Sequence, residues 1–243
     1  MFKIVISQLN LKSIISAVSH ITSEVKFQLS PDGLKIEAVD PASVAMVKLD
    51  ASTGAFDYFQ ADSGQIAMDL TKLAALTAHK DAPVSIELEE ETHKLKIAVG
   101  KAKYTMSLLD PSSLHATPRI PTLDLPAAVA LPGSELREAI SSATKVADHI
   151  IIEQHDSEFK ISAKGDIDAF EMPMNLTEML SVRHGESRAL FSLDYMEDIG
   201  KVAAGSDNVM IETGIDYPMK VTFNLGESIN VQYLLAPRIE NDN

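Results

Sequence analysis

Leu34-Lys35-Ile36-Glu37-Ala38 and Phe159-Lys160-Ile161-Ser162-Ala163 stand 125 residues apart and read alike. Both alternate apolar and polar positions, the pattern of a strand with one buried face. The same shift carries Leu11-Lys12 onto Leu136-Arg137, Ile15 onto Ile140, Val18 onto Ala143, Ile21 onto Val146, Val25 onto Ile150 and Phe27 onto Ile152. Close to that offset, Met68-Asp69-Leu70-Thr71-Lys72-Leu73 meets Phe191-Ser192-Leu193-Asp194-Tyr195-Met196, and Ser107-Leu108-Leu109-Asp110-Pro111 meets Tyr233-Leu234-Leu235-Ala236-Pro237. Few identities are shared, yet the apolar pattern keeps register over both halves. The chain therefore reads as two copies of one domain, 1–110 and 131–243, joined by a linker over 111–130. Pro111, Pro118, Pro121 and Pro126 punctuate that linker. Proline restricts its own φ and the preceding residue, so the stretch is expected to be extended and semi-rigid.

Each copy reads as two helices among antiparallel strands, an α+β arrangement with helices on one face of the sheets. Leu11, Ile14, Ile15, Val18 and Ile21 have helical spacing, as do Leu136, Ile140, Ala143 and Val146. A second helix is expected from an Asp69 N-cap, with Leu70, Leu73 and Leu76 inward. Its copy carries Leu193, Met196 and Ile199 and is expected to end at Gly205. Val84–Leu88 and Leu95–Val99 alternate and are mirrored by Val209–Glu212 and Met219–Phe223, and Asp32-Gly33 marks a hairpin turn.

The 243 residues hold 21 Lys+Arg against 35 Asp+Glu, a formal net charge of −14. That average argues against tight nucleic-acid binding. With no Cys, disulfides, thiol catalysis and Cys-ligated metals are excluded. No signal-peptide pattern opens the chain, and no apolar run reaches membrane-span length. The charge is unevenly spread. Helices taken as 8–21, 69–80, 133–148 and 192–204 hold Lys12, Lys72, Lys80, Arg137, Lys145 and Lys201 against Asp69, Glu135, Glu138, Asp148, Asp194, Glu197 and Asp198. They sum to −1, which leaves −13 elsewhere. The first helix has no acid. A lone face of this kind reads as solvated; four related helices relieved of acid read as a surface for a polyanion, contacted weakly through its phosphates.

Catalytic patterns are thin. Ser142-Ala143-Thr144-Lys145 fits S-x-x-K, but inside an amphipathic helix and without companion motifs. Asp166-Ile167-Asp168 reads as a solvated turn, no His pair has metal-site spacing, and no Gly-rich phosphate loop is present. Asn175-Leu176-Thr177 is a sequon of consequence only in a secreted protein. The residue patterns alone leave open an α+β ligand- or protein-binding scaffold not acting on DNA, or an enzyme whose groups meet only in the fold.

The C-terminal run Tyr233-Leu234-Leu235-Ala236-Pro237-Arg238-Ile239-Glu240 resembles the signature of the DNA polymerase sliding clamps, the proliferating cell nuclear antigen family of archaea and eukaryotes. Ala38-Val39-Asp40-Pro41-Ala42-Ser43-Val44-Ala45-Met46, Asp69-Leu70-Thr71 and Phe191-Ser192-Leu193-Asp194-Tyr195-Met196 also resemble the family, so the likeness covers the whole chain. It implies a non-enzymatic homotrimeric ring without cofactors or metal, its helices lining a hole that encircles duplex DNA. The implied partners are DNA polymerase, the clamp loader, flap endonuclease, DNA ligase and other proteins carrying a short docking peptide, with no membrane. The archaeal type implies a cytoplasmic, nucleoid-associated setting.

The resemblance carries three sets of residues over. The DNA-facing set is Lys12, Lys72, His79, Lys80, Arg137, Lys145 and Lys201. Ser13 and Ser19 stand where the family often has Lys, and Asp194 replaces a basic residue. The peptide pocket beneath the linker is Val39, Val44, Met46, Ile120, Pro218, Leu234, Leu235, Ala236, Pro237 and Ile239, with Pro118 replacing a family Leu at its rim. Subunit contact joins a strand bearing Tyr104, Met106 and Leu108 to an edge strand bearing Phe170, Met172 and Met174, where Pro173 suits an edge. A homotrimer of such chains would carry −42 and still enclose DNA, because encirclement needs no tight contact.

Overall fold

The computed structural model describes residues 1–78, 82–114 and 122–239. The chain divides into two compact units: Met1–Arg119 with Leu225–Val231, and Ile120–Asn224 with Gln232–Asn243.

In the first unit the elements are β1 (Phe2–Ile6), α1 (Gln8–Ser19), β2 (Glu24–Ser30), β3 (Gly33–Val39), β4 (Ala45–Ser52), β5 (Tyr58–Ala61), β6 (Gly64–Asp69), α2 (Leu70–Thr77), β7 (Val84–Glu89), β8 (Lys94–Val99) and β9 (Ala102–Ser107). The remaining elements follow the same order: β10 (Ala127–Leu131), α3 (Gly133–Ala143), β11 (His149–His155), β12 (Glu158–Lys164), β13 (Ala169–Asn175), β14 (Ser181–Arg183), β15 (Ser187–Ser192), α4 (Leu193–Ala203), β16 (Val209–Thr213), β17 (Met219–Leu225) and β18 (Ile229–Leu235). Strand order repeats too. β5-β1-β7-β8-β9 and β4-β3-β2-β6 in the first copy correspond to β14-β10-β16-β17-β18 and β13-β12-β11-β15 in the second. Antiparallel pairing is common to both copies: Leu34-Lys35-Ile36 pairs with Ala51-Asp50-Leu49 just as Phe159-Lys160-Ile161 pairs with Met174-Pro173-Met172.

Alternation drives these strands. β1 and β16 bury every second residue, as do Ala45–Ala51 of β4. In the first unit Phe2, Ile4 and Ile86 from one sheet meet Phe27, Leu34 and Met68 from the other, with Leu11, Ile14 and Leu73 from the helices. The cavity they leave has a volume of only about 10 Å³, room for no more than about one water.

The helices are shorter than their apolar spacing predicts. α1 stops at Ser19, and Ile21 is buried from a turn whose N–H bonds the Val18 carbonyl at 2.9 Å. α3 stops at Ala143 rather than 148, because the Thr144 hydroxyl donates to the Ser141 carbonyl at 3.1 Å and the chain turns. That run of Ser and Thr competes for backbone bonds. α4 runs to Ala203 with Ala204 as its cap, and Gly205 is the first residue beyond that cap. Leu76 and Val146 are half-buried rather than core. Asp69 does cap α2, accepting from the Lys72 N–H at 3.1 Å, and Ser7 caps α1 in the same way.

Candidate nucleic-acid and partner interfaces

Lys12 on α1, Lys72 on α2 and Arg137 on α3 are exposed. Among the described residues none of the three has an ion-pair partner. Lys145 is exposed but lies two residues beyond the end of α3. Lys201, in the last turn of α4, is held by Glu197 and Asp198, each at 3.2 Å. Hydrogen bonds to Glu197 and then Asp198 push its ammonium above the usual lysine range. His79 and Lys80 lie outside the described residues. Asp194 falls in the first turn of α4, where the helix dipole favours a carboxylate.

The two helix pairs pack differently. At the head of α3, a Cβ on Gly133 would meet the Ala203 carbonyl oxygen at 2.0 Å. On α4, a Cβ on Gly200 would meet Ile140 Cδ1 at 2.7 Å. The cleft left between α3 and α4 is about 80 Å³, lined by Arg137, Ile140, Ser141, Thr144, Glu197 and Lys201. The repeat places Gln8 and Thr77 at the positions of these two glycines. Thr77 is buried, its hydroxyl donating to the Leu73 carbonyl at 2.8 Å, and Gln8 Nε2 is buried with no partner among the described residues. Between α1 and α2 the groove is about 660 Å³, and both residues line it.

The pocket residues fall in both units. In the first, Val39 pairs with Met46 across β3 and β4, and both are half-buried. The loop bearing Val44, also half-buried, is organised by Asp40. Its carboxylate accepts from the N–H groups of Ala42 (3.0 Å), Val44 (2.7 Å) and Ala45 (2.6 Å). In the second unit Leu234 and Leu235 are buried, Pro218, Ala236 and Pro237 half-buried, and Ile239 is 80% exposed. The Arg238 N–H donates to the Leu190 carbonyl at 2.7 Å, pinning this tail. Ile120 lies outside the described residues.

Residue patterns did not single out Asp40, although an Asp before Pro and a short polar loop is a turn-former. They also missed Ile215 and Tyr217, apolar and 59% and 56% exposed beside Pro218 in the chain. Two cations hold linker carbonyls. Lys26 Nζ donates to Leu114 O at 3.1 Å, and Arg183 Nη2 donates to Leu125 O at 2.8 Å. Nothing local in the sequence marks either contact.

β9 and β13 each end a sheet. On β9, Tyr104 is half-buried and Met106 is core; on β13, Phe170 and Met172 are half-buried and Met174 is core. Leu108 lies past the end of β9 and is half-buried. Pro173 sits on the terminal strand β13, where its missing N–H costs no ladder bond on the open side. Lys101 and Lys103 flank or belong to β9; Asp166, Asp168 and Glu171 do the same for β13. The two open edges are therefore opposite in charge. Ser142-Ala143-Thr144-Lys145 straddles the end of α3. Among the described residues the one three-residue group with metal-ligand geometry is His155, Asp156 and Glu186, all exposed.

Two copies of one helix-backed α+β domain, with β9 ending a sheet in one and β13 ending a sheet in the other, define a duplicated scaffold. Residues 1–107 match the proliferating cell nuclear antigen N-terminal domain, and 119–238 match the C-terminal domain. Relatives named DNA polymerase sliding clamp are 47% identical in Methanothrix thermoacetophila and 43% identical in Methanosarcina barkeri, each aligned over all of both chains. A solved structure described as the C-terminal region of FEN-1 bound to A. fulgidus PCNA is 33% identical, with a TM-score of 0.94 over all of both chains. The chain belongs to the proliferating cell nuclear antigen family of DNA polymerase sliding clamps. No helix among the described residues is long and apolar enough to cross a membrane.

Proposed function

We propose that the protein is a DNA sliding clamp: a homotrimeric ring that encircles duplex DNA and tethers DNA polymerase and other replication and repair enzymes, with no chemistry of its own. The observation that carries this reading is the pair of open, oppositely charged edges on β9 and β13. They lie on different units, so pairing one with the other joins subunits head to tail, and such a contact closes a ring when the rotation is right. It also covers edges that would otherwise invite aggregation. Tyr104, Met106 and Leu108 on one side and Phe170, Met172 and Met174 on the other mark this contact, with Tyr104, Phe170 and Met172 the side chains left accessible for it.

The helices face the duplex, with Lys12, Lys72, Arg137 and Lys145 as the cations offered to it. Val39, Val44, Met46, Pro218 and the tail Leu234 to Ile239 receive a partner peptide. The A. fulgidus relative bound to a FEN-1 C-terminal region supports a flap endonuclease tail as one such peptide. Apolar anchors carry most of the energy in contacts of this kind. DNA polymerase, clamp loader and DNA ligase dock in the same way, on DNA in the cytoplasm of a cell without a nucleus. Polymerase extension on primed circular DNA tests this. Stimulation is expected only when a clamp loader is present; no stimulation by this protein, with polymerase and loader shown active, contradicts the reading.

A further inference from the structure

We infer that the duplex backbone is held by the first unit's helix pair, along the groove between α1 and α2, and that the second unit's pair stands off from it. This deepens the clamp reading and rests on it. Within their observed bounds α1 and α2 carry Lys12 and Lys72 and no acid, while α3 and α4 carry Arg137 and Lys201 against Glu135, Glu138, Asp194, Glu197 and Asp198. The near-neutral total over four helices thus divides into +2 and −3.

Availability sharpens the difference. Among the described residues Lys12 and Lys72 have no ion-pair partner, whereas Lys201 is engaged by Glu197 and Asp198. A phosphate would compete with both carboxylates for it. Arg137 shares its narrow cleft with Glu197. Shape agrees with charge. Gln8 and Thr77 stand where Gly133 and Gly200 let α3 and α4 close, and the first pair leaves a groove of about 660 Å³ against about 80 Å³. Lys12, Ser16 and Ser19 line it, spaced to share one face of α1. The Lys12 ammonium and the Ser16 and Ser19 hydroxyls, set beside the aliphatic Leu9, Leu11 and Ile15 with no acid among the described lining residues, suit phosphate oxygens and carry no base information. Contacts this sparse release few counterions, which keeps the ring mobile.

The test measures binding of the assembled protein to a short labelled duplex by fluorescence anisotropy across a salt series. Lys12→Ala with Lys72→Ala is expected to lower affinity roughly tenfold and to flatten the salt dependence by about one unit of slope for each lysine removed. Lys12→Arg with Lys72→Arg is expected to retain affinity, which separates the effect of charge from that of folding. Arg137→Ala is expected to cost clearly less, and Glu197→Gln with Asp198→Asn to strengthen binding by releasing Lys201. Equal or larger loss from Arg137→Ala, or no loss from the double lysine variant, overturns the inference. Loader-dependent polymerase stimulation by the unaltered protein is scored separately. If that stands while the lysine variants bind normally, the clamp reading survives and the asymmetry fails; if stimulation itself is absent, the clamp reading fails.

Discussion

Gly133 at the head of α3 lies so close to Ala203 at the foot of α4 that a Cβ on the glycine would stand 2.0 Å from the alanine's carbonyl oxygen. The Gly133 N–H also donates to the Ser206 carbonyl at 3.2 Å. A backbone oxygen cannot swing aside as a side chain can. Gly133→Ala is therefore expected to destabilise the protein by about 1–3 kcal/mol through overpacking, read as a lower denaturation midpoint. An unchanged midpoint contradicts the close approach.

Arg183 joins the linker to the sheet. Its Nη2 reaches Leu125 O at 2.8 Å and Glu212 Oε1 at 2.9 Å, and Lys220 pairs with the same carboxylate. Burial alone would push the Glu212 carboxyl up, but hydrogen bonds from Lys220 and Arg183 outweigh it and hold the group below the usual range. Arg183→Ala is expected to cost about 1–3 kcal/mol and to speed proteolysis near Leu125. Unchanged cleavage kinetics would show that the arginine does not hold the linker.

His155 forms a surface ion pair that titrates. Its Nδ1 lies 2.5 Å from Glu186 Oε2, and its Nε2 3.3 Å from Asp156 Oδ2. The Glu186 hydrogen bond, then the Asp156 charge, raise the imidazole above its ordinary 6.5, while the bond to His155 lowers Glu186 below its ordinary 4.5. The histidine's contribution is complete below pH 6.5 and fades as pH rises through the raised value. The glutamate's is complete above pH 4.5 and fades as pH falls through the lowered value. The pair is therefore fully formed between the two. In Glu186→Gln the NMR titration midpoint of His155 should move down toward 6.5; a midpoint that stays put contradicts the pairing.

Tyr104 sits half-buried on the open strand β9. Tyr104→Ala is expected to shift the assembly toward smaller species on dilution, and more so in high salt, which screens Lys103 from the acids beside β13. Light scattering that shows the same mass for both proteins over a dilution series contradicts the assignment.

Much of the fold is readable from residue order. Leu34–Ala38 and Phe159–Ala163 disclose the duplication because burial on one face imposes period two in both copies. The helices emerge for the same reason, and Asp69 declares its cap. Their ends do not, since Ile21 and Val146 continue the apolar spacing after the backbone has turned. Pairing order is also hidden: alternation says that a strand has an inner face, not which strand lies beside it. At the candidate site, the even distribution of cations over four helices is the misleading element. Lys201 follows Glu197 and Asp198 by four and three residues, a spacing that announces local pairing once the helix is known. The contrast of Gly133 and Gly200 with Gln8 and Thr77 gains its meaning only in the folded protein, where the two helix pairs leave gaps of about 80 and 660 Å³.

Encirclement is a topological link, so the topology of the DNA decides whether the protein stays on it. Loaded onto nicked circular DNA and passed through a gel-filtration column in high salt, the protein should stay with the circle, because no charge contact is needed to hold a closed ring. Cutting the circle once should release it by sliding from the ends. Retention that is equal on circular and linear DNA, or loss from both in high salt, would mean that the protein binds DNA from one side or not at all, and would contradict encirclement.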